Sequence, residues 1–240
     1  MFMYIENTNL TFNPDLLHSI DVAESYLKTI DLSLNMGVYL SDLAYITLME
    51  NYRLSIDYFH TIYTLSEKLN ISGSYDQELL LRMEKNLRNS DSLKVIAEDA
   101  FKSLSGYLEK NHQENIFGII SVGSFIEFMH LAIMIAGEYS EDNVTIKRIS
   151  DQKLVFGNMI KYLKEYEDEN ISKTLELIGP LDEFYNQIVV NSEKTTVTKT
   201  SEDKLVFGGK KKNILTKEEY TKLKNIISGI RNKIIGSEIQ

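Results

Sequence analysis

The chain has 240 residues, 43% hydrophobic and 25% charged, enough to bury a sizeable core without covalent staples. With 35 acidic and 26 basic residues, its formal net charge is −9, which argues against non-specific nucleic-acid binding, where Lys and Arg must neutralise phosphates. The absence of cysteine removes disulfides, thiolate nucleophiles and thiolate metal sites, and two prolines with twelve glycines favour long helices over many short strands.

In chain order, Asn13-Pro14-Asp15 reads as a helix start, with Asn13 as cap and a first helix running to about Ile30. A second helical stretch runs from about Asn35 towards Leu69, too long for one ordinary helix, so a break is predicted between Glu50 and Arg53. Ser74 with Gln77 reads as a capping box opening a helix that closes around Asn89-Ser90-Asp91, and Asp91 is placed as the cap of the next, which continues through Leu108. Ile116 to Gly137 is the most apolar stretch. Two further helices are predicted over roughly 144–166 and 171–190, the latter kinked or split at Gly179-Pro180.

Residues 191–213 change character. Thr195 to Thr200 and Leu205-Val-Phe are β-prone on either side of a turn-like Ser201-Glu-Asp-Lys, so an irregular or short hairpin excursion is expected. Thr216 and Glu219 form a capping box, and Tyr220, Leu223, Ile226, Ile227, Ile230 and Ile234 make one core-facing stripe on a C-terminal helix over 214–236. The expected fold is therefore all-α: one domain over 1–240, a bundle of about seven to nine helices with the hairpin before the last. From Gly209 onward the chain carries eight basic and three acidic residues, consistent with a basic helix docking on an acidic bundle.

The apolar stretch is nearly long enough to span a bilayer, but Glu127 sits near its centre, and a carboxylate there costs about 2.5–3.5 kcal/mol on the permissive insertion scale. A central core helix explains the stretch better, and no transmembrane segment is expected. Glu127 must then be paired, hydrogen-bonded or neutralised. It is either a ligand or catalytic carboxylate in a cavity, or a structural one satisfied by Tyr, Arg or Lys from another helix. The second reading is favoured because no substrate-binding motif accompanies it. Glu127 and His130 are three residues apart on one face, as in di-iron bundles, but the other such step, Glu109/His112, lies outside a strongly apolar context, and Asp57/His60 offers a shorter ligand than that pattern wants, so no metal or other cofactor is expected. Asp42, between aromatic and apolar neighbours, is open to either a buried or a solvated placement. Gly-rich phosphate loops, a nucleophile elbow and a zinc-protease motif are missing, and no catalytic residue is assigned.

Three blocks together resemble a family of uncharacterised all-helical bacterial exported proteins of lipoprotein type. They are Leu34-Asn-Met-Gly-Val-Tyr-Leu-Ser-Asp-Leu-Ala-Tyr45, then Leu69-Asn-Ile with Arg82-Met-Glu-Lys-Asn-Leu-Arg-Asn-Ser-Asp-Ser92, and Gly123-Ser-Phe-Ile-Glu127, with Phe125 where that family has Trp. The resemblance covers roughly residues 15–190. It implies that Tyr39, Asp42 and Glu127 are matched positions and candidate binding residues, and that His130 stands where an aromatic is usual. It also implies export to the periplasm or cell envelope, with a membrane tether through a signal not visible in Met1 to Asn9. A non-enzymatic binding or interaction protein of the envelope, with a protein or small-molecule partner, is the expected function. The alternative is a metal- or carboxylate-dependent enzyme centred on Glu127.

Overall fold

A computed structural model of the chain describes residues 11–75, 77–86, 89–188, 197–199, 205–207 and 215–236. Nine α-helices occur among them: α1 (Thr29–Leu48), α2 (Tyr52–Lys68), α3 (Gln77–Asn86), α4 (Ser90–Lys110), α5 (Glu114–Ala136), α6 (Val144–Ser150), α7 (Gln152–Leu163), α8 (Glu169–Gln187) and α9 (Lys217–Ile235). The fold is all-α. The break between α1 and α2 falls at 49–51, where Glu50 takes a positive φ of 56° and Asn51 caps α2 through Leu54 N–H.

Several local readings are corrected. The segment expected to be a helix from Pro14 to Ile30 is two short 3₁₀ turns, Pro14–Leu16 and Ile20–Ser25, and α1 begins only at Thr29. Its backbone groups bond elsewhere: His18 N–H donates to Asp42, while the carbonyls of Leu16, His18 and Ser19 accept from Arg231, Tyr58 and Tyr39. Tertiary partners have taken groups an α-helical ladder would use. The cap of α4 is Asn89 rather than Asp91, its side chain accepting from Ser92 N–H. The stretch 144–166 divides at Asp151, whose N–H bonds back to Arg148 and Ile149 carbonyls. Conversely, α8 runs unsplit past Pro180, with Leu177, Ile178 and Leu181 buried on either side of the ring. Packing of that face outweighs the one backbone hydrogen bond proline cannot make. In the segment 191–213, Val197–Lys199 and Leu205–Phe207 lie in antiparallel register, and the rest of the expected hairpin lies outside the described residues.

The centre of the bundle is the α1–α5 pair, the most extensive helix contact in the molecule. Gly37 and Gly123 bring the two backbones together: a Cβ on Gly37 would meet Ile120 O, and one on Gly123 would meet Leu34 O. Two hydrogen bonds then cross the seam, Ser41 Oγ donating to Ser124 O (2.9 Å) and Ser124 Oγ to Gly37 O (3.0 Å). Helix α5 is long and apolar enough to cross a membrane, yet about two-thirds of its most apolar window (67%) is buried inside this fold, against α1, α4 and α6–α9. One core cluster joins Leu34, Val38, Ile126, Met129, Phe156, Ile178, Leu223 and Ile227; the other joins Met36, Tyr39, Ile46, Ile62, Leu65 and Leu108. Both draw on α1 and α5, which together form the floor for everything else.

Candidate functional site

Glu127 lies four residues beyond Gly123, on the face that approaches α1, and Asp42 follows Ser41 on the facing helix. The close crossing therefore carries two carboxyl groups into one place. Both are completely enclosed, at 0% exposure, as is Tyr39. All three residues singled out in the sequence thus meet in a single cluster at the α1–α5 seam.

The groups that satisfy them come from elsewhere in the chain. Arg231 of α9 reaches Glu127 with a two-pronged ion pair, Nε to Oε2 at 2.6 Å and NH2 to Oε1 at 2.9 Å. Its NH2 also donates to Leu16 O at 3.3 Å. Asp42 Oδ2 accepts from His18 N–H at 3.0 Å. Tyr58 donates to His18 O at 2.6 Å and Tyr39 to Ser19 O at 2.8 Å. The His18 ring stacks on Tyr39, centroids 5.1 Å apart, with Nε2 2.6 Å from the Tyr26 hydroxyl. Tyr26 in turn reaches Ile235 O at 3.3 Å, so an Nε2-protonated imidazole satisfies the whole chain of donors. The N-terminal segment is consequently tied to α1, α2 and α9 through polar groups.

The electrostatics follow from enclosure. Burial, then the proximity of Glu127, holds the Asp42 carboxyl well above the usual carboxylate range, against the opposing pull of His18 N–H and Arg231. Burial also raises Glu127, but Arg231 and a hydrogen bond from Asp42 favour its charged form. Enclosure thus biases both carboxyls towards their protonated forms, and Glu127, paired directly with Arg231, is the better placed of the two to hold a negative charge. Asp42 Oδ1 is buried without a hydrogen-bond partner. Burial works against the Arg231 charge, but Glu127 more than offsets it and raises its pKa. Burial and then Arg231 push His18 down to about 4, so it is neutral at pH 7. The cluster holds two opposite charges and no net charge.

Comparison of the chain with known protein families, curated proteins and solved structures finds no match.

Chemically, the cluster can hold a proton and hold segments in register. His130, the expected companion of Glu127, makes no pair with it: both Glu127 oxygens are taken by Arg231. Burial, then Arg231, lowers His130 to about 4. Among the described residues no three His, Asp or Glu side chains gather around one point where a metal could sit.

Sequence reasoning missed Arg231, His18, Tyr26 and Tyr58. Arg231 had a legible signal: with Ile227, Ile230 and Ile234 it falls on the core-facing stripe of α9, a charged residue in an apolar face. His18 carries no such signal: it lies between the two 3₁₀ turns and is buried at 7% exposure.

Proposed function

We propose that this chain is a non-enzymatic binding or interaction protein of the bacterial cell envelope. The observation that carries the non-enzymatic part is the enclosure of Glu127 and Asp42, with both Glu127 oxygens bonded to Arg231 and Asp42 Oδ2 to His18 N–H. A catalytic carboxylate must reach a substrate atom within hydrogen-bond distance. These reach only protein. Their work is to hold α1, α5, α9 and the segment 13–28 in one arrangement that presents the outer faces of the bundle. The envelope location rests on the resemblance of the Leu34–Tyr45, Leu69–Ser92 and Gly123–Glu127 blocks. The partner is a protein or a small molecule, not nucleic acid, given the −9 net charge.

A carboxylate-dependent enzyme is supported by one feature, two neighbouring enclosed carboxyls both pushed upward by burial, since perturbed acid pairs cluster at catalytic sites. Asp42→Asn separates the readings. It keeps the shape, the acceptor for His18 N–H and a donor towards Glu127. In a strain deleted for the native gene, the variant is expected to restore the parent phenotype and to fractionate with the envelope. A variant that melts like the parent but restores nothing would show that the carboxyl does chemistry, and recovery of the native gene product in the cytoplasm would overturn the location.

A further inference from the structure

On the opposite flank of α5 from the α1 seam, α4 and α7 border a second assembly of tyrosines and carboxylates, and this one is open. A cavity of about 270 Å³ is lined by Leu108, Glu109, Glu114, Phe117, Tyr162 and Tyr166. That is close to the lower bound usual for small-molecule sites, about 300 Å³. The rings form a continuous run. Phe101, more than half exposed at 57%, lies 5.5 Å from Phe117, centroid to centroid; Phe117 meets Tyr162 edge-on at 6.4 Å, and Tyr162 meets Tyr166 edge-on at 5.2 Å. Gly118 makes the approach possible: a Cβ there would lie 2.8 Å from Leu163 and 3.3 Å from the Tyr162 ring. Tyr162 is then fixed by donating to Glu114 O at 3.2 Å.

The lining includes two glutamates and no Lys, Arg or His. Burial first, then Tyr166 and the charges of Glu114 and Glu165, raise the Tyr162 hydroxyl, so its proton stays on. Ring faces attract cations, more strongly where water is partly excluded, and nearby carboxylates add a charge term of the same sign. An ordinary ammonium would give up strong hydration to enter such a groove. A methylated ammonium is weakly hydrated and presents apolar methyls to the rings.

We propose that the groove between α4 and α7 binds a small quaternary ammonium cation of choline type, its methyl groups against Phe117, Tyr162 and Tyr166 and its charge facing Glu109 and Glu114. The proposal rests on the reading of the chain as a binding protein and supplies a ligand class for it. The cation can come free in solution or as the headgroup of a lipid.

The test is titration of the full chain with choline chloride, followed by calorimetry and by tyrosine fluorescence, which no tryptophan obscures. The neutral isostere 3,3-dimethyl-1-butanol and sodium chloride at equal ionic strength serve as controls. Saturable 1:1 binding of choline is expected, with the isostere weaker by about tenfold or more. Glu109→Gln and Tyr166→Leu, both at the rim, are each expected to weaken choline by about 3- to 10-fold without changing the melting temperature. Flotation with phosphatidylcholine vesicles assigns the source: binding displaced by free choline identifies the headgroup, and absence of vesicle binding identifies the free cation. No saturation by choline, equal binding of the isostere, or parent-like affinity in both variants would each overturn the site. Those failures leave the envelope binding-protein reading standing, because it is judged by Asp42→Asn complementation and fractionation.

Discussion

The two faces of α5 carry the same kinds of side chain and put them to different uses. Towards α1 and α9, the fully enclosed Glu127 and Asp42 lie together, Glu127 paired with Arg231 and Asp42 beside Tyr39 and Tyr58. Towards α4 and α7, Glu114 and Glu109 meet Phe117, Tyr162 and Tyr166 in an open groove. In the first place enclosure calls for a protein counter-charge, which Arg231 supplies to Glu127, because a buried unpaired charge is prohibitively costly. In the second, water stands in for a partner and a ligand can replace it. What distinguishes a structural cluster from a binding surface here is enclosure, not residue type.

The comparison breaks most visibly at Arg231. Arg231→Met leaves Glu127 enclosed beside Asp42 with no counter-charge, and loss of one member of a buried pair costs about 3–5 kcal/mol. For a chain of this size that is a fall on the order of 10 °C in melting temperature. A variant melting within a degree or two of the parent would show that the ion pair does not hold α9 to the bundle.

Acid sharpens it next. The pKa of His18 falls from 6.5 unfolded to about 4 folded, so the unfolded chain binds the extra proton first as pH drops. Stability contributed by neutral His18 is present above pH 6.5 and is lost progressively between 6.5 and 4, by about 3 kcal/mol at the lower limit. Asp42 acts with the opposite sign: its raised folded pKa gives stability at low pH that declines as pH rises above 3.8 towards the folded value. His130 titrates in the same window as His18, so the readout is the difference between parent and His18→Gln in urea melts from pH 7 to pH 4. Parallel curves for the two proteins would exclude His18 as the source.

The helix seam itself is tested by Gly123→Ala. Its Cβ would collide with the Leu34 carbonyl, a backbone atom that can move only with α1. A loss of about 1–3 kcal/mol is expected from overpacking, read by chemical denaturation, whereas Gly106→Ala, with open space around it on α4, should be neutral or slightly stabilising. Equal effects at the two glycines would refute close approach at the seam.

The smallest effects are the most discriminating. Asp42→Asn replaces a protonated carboxyl by an amide of the same shape and should cost less than about 1 kcal/mol. Glu109→Gln, at an exposed position, should change stability by less than about 0.5 kcal/mol. A large loss in Asp42→Asn would place the negative charge on Asp42 instead of Glu127.

From the sequence alone came the all-α class, the break before Tyr52, the capping box of α9 and its apolar stripe, and the necessity that Glu127 be satisfied inside the protein. These are local: they follow from hydrophobic period, cap chemistry and the energy of a carboxylate in an apolar run. The 3₁₀ form of the N-terminal segment, the inward turn of His18 and the choice of Arg231 as partner were not legible, although an arginine within the α9 stripe pointed towards the last. They depend on contacts between residues 24 to 215 positions apart, and a helical period cannot report which distant backbone group will claim a donor. The tertiary structure decided that two acids on separate helices influence each other's protonation, because the Gly37–Gly123 crossing brings their helices into close contact.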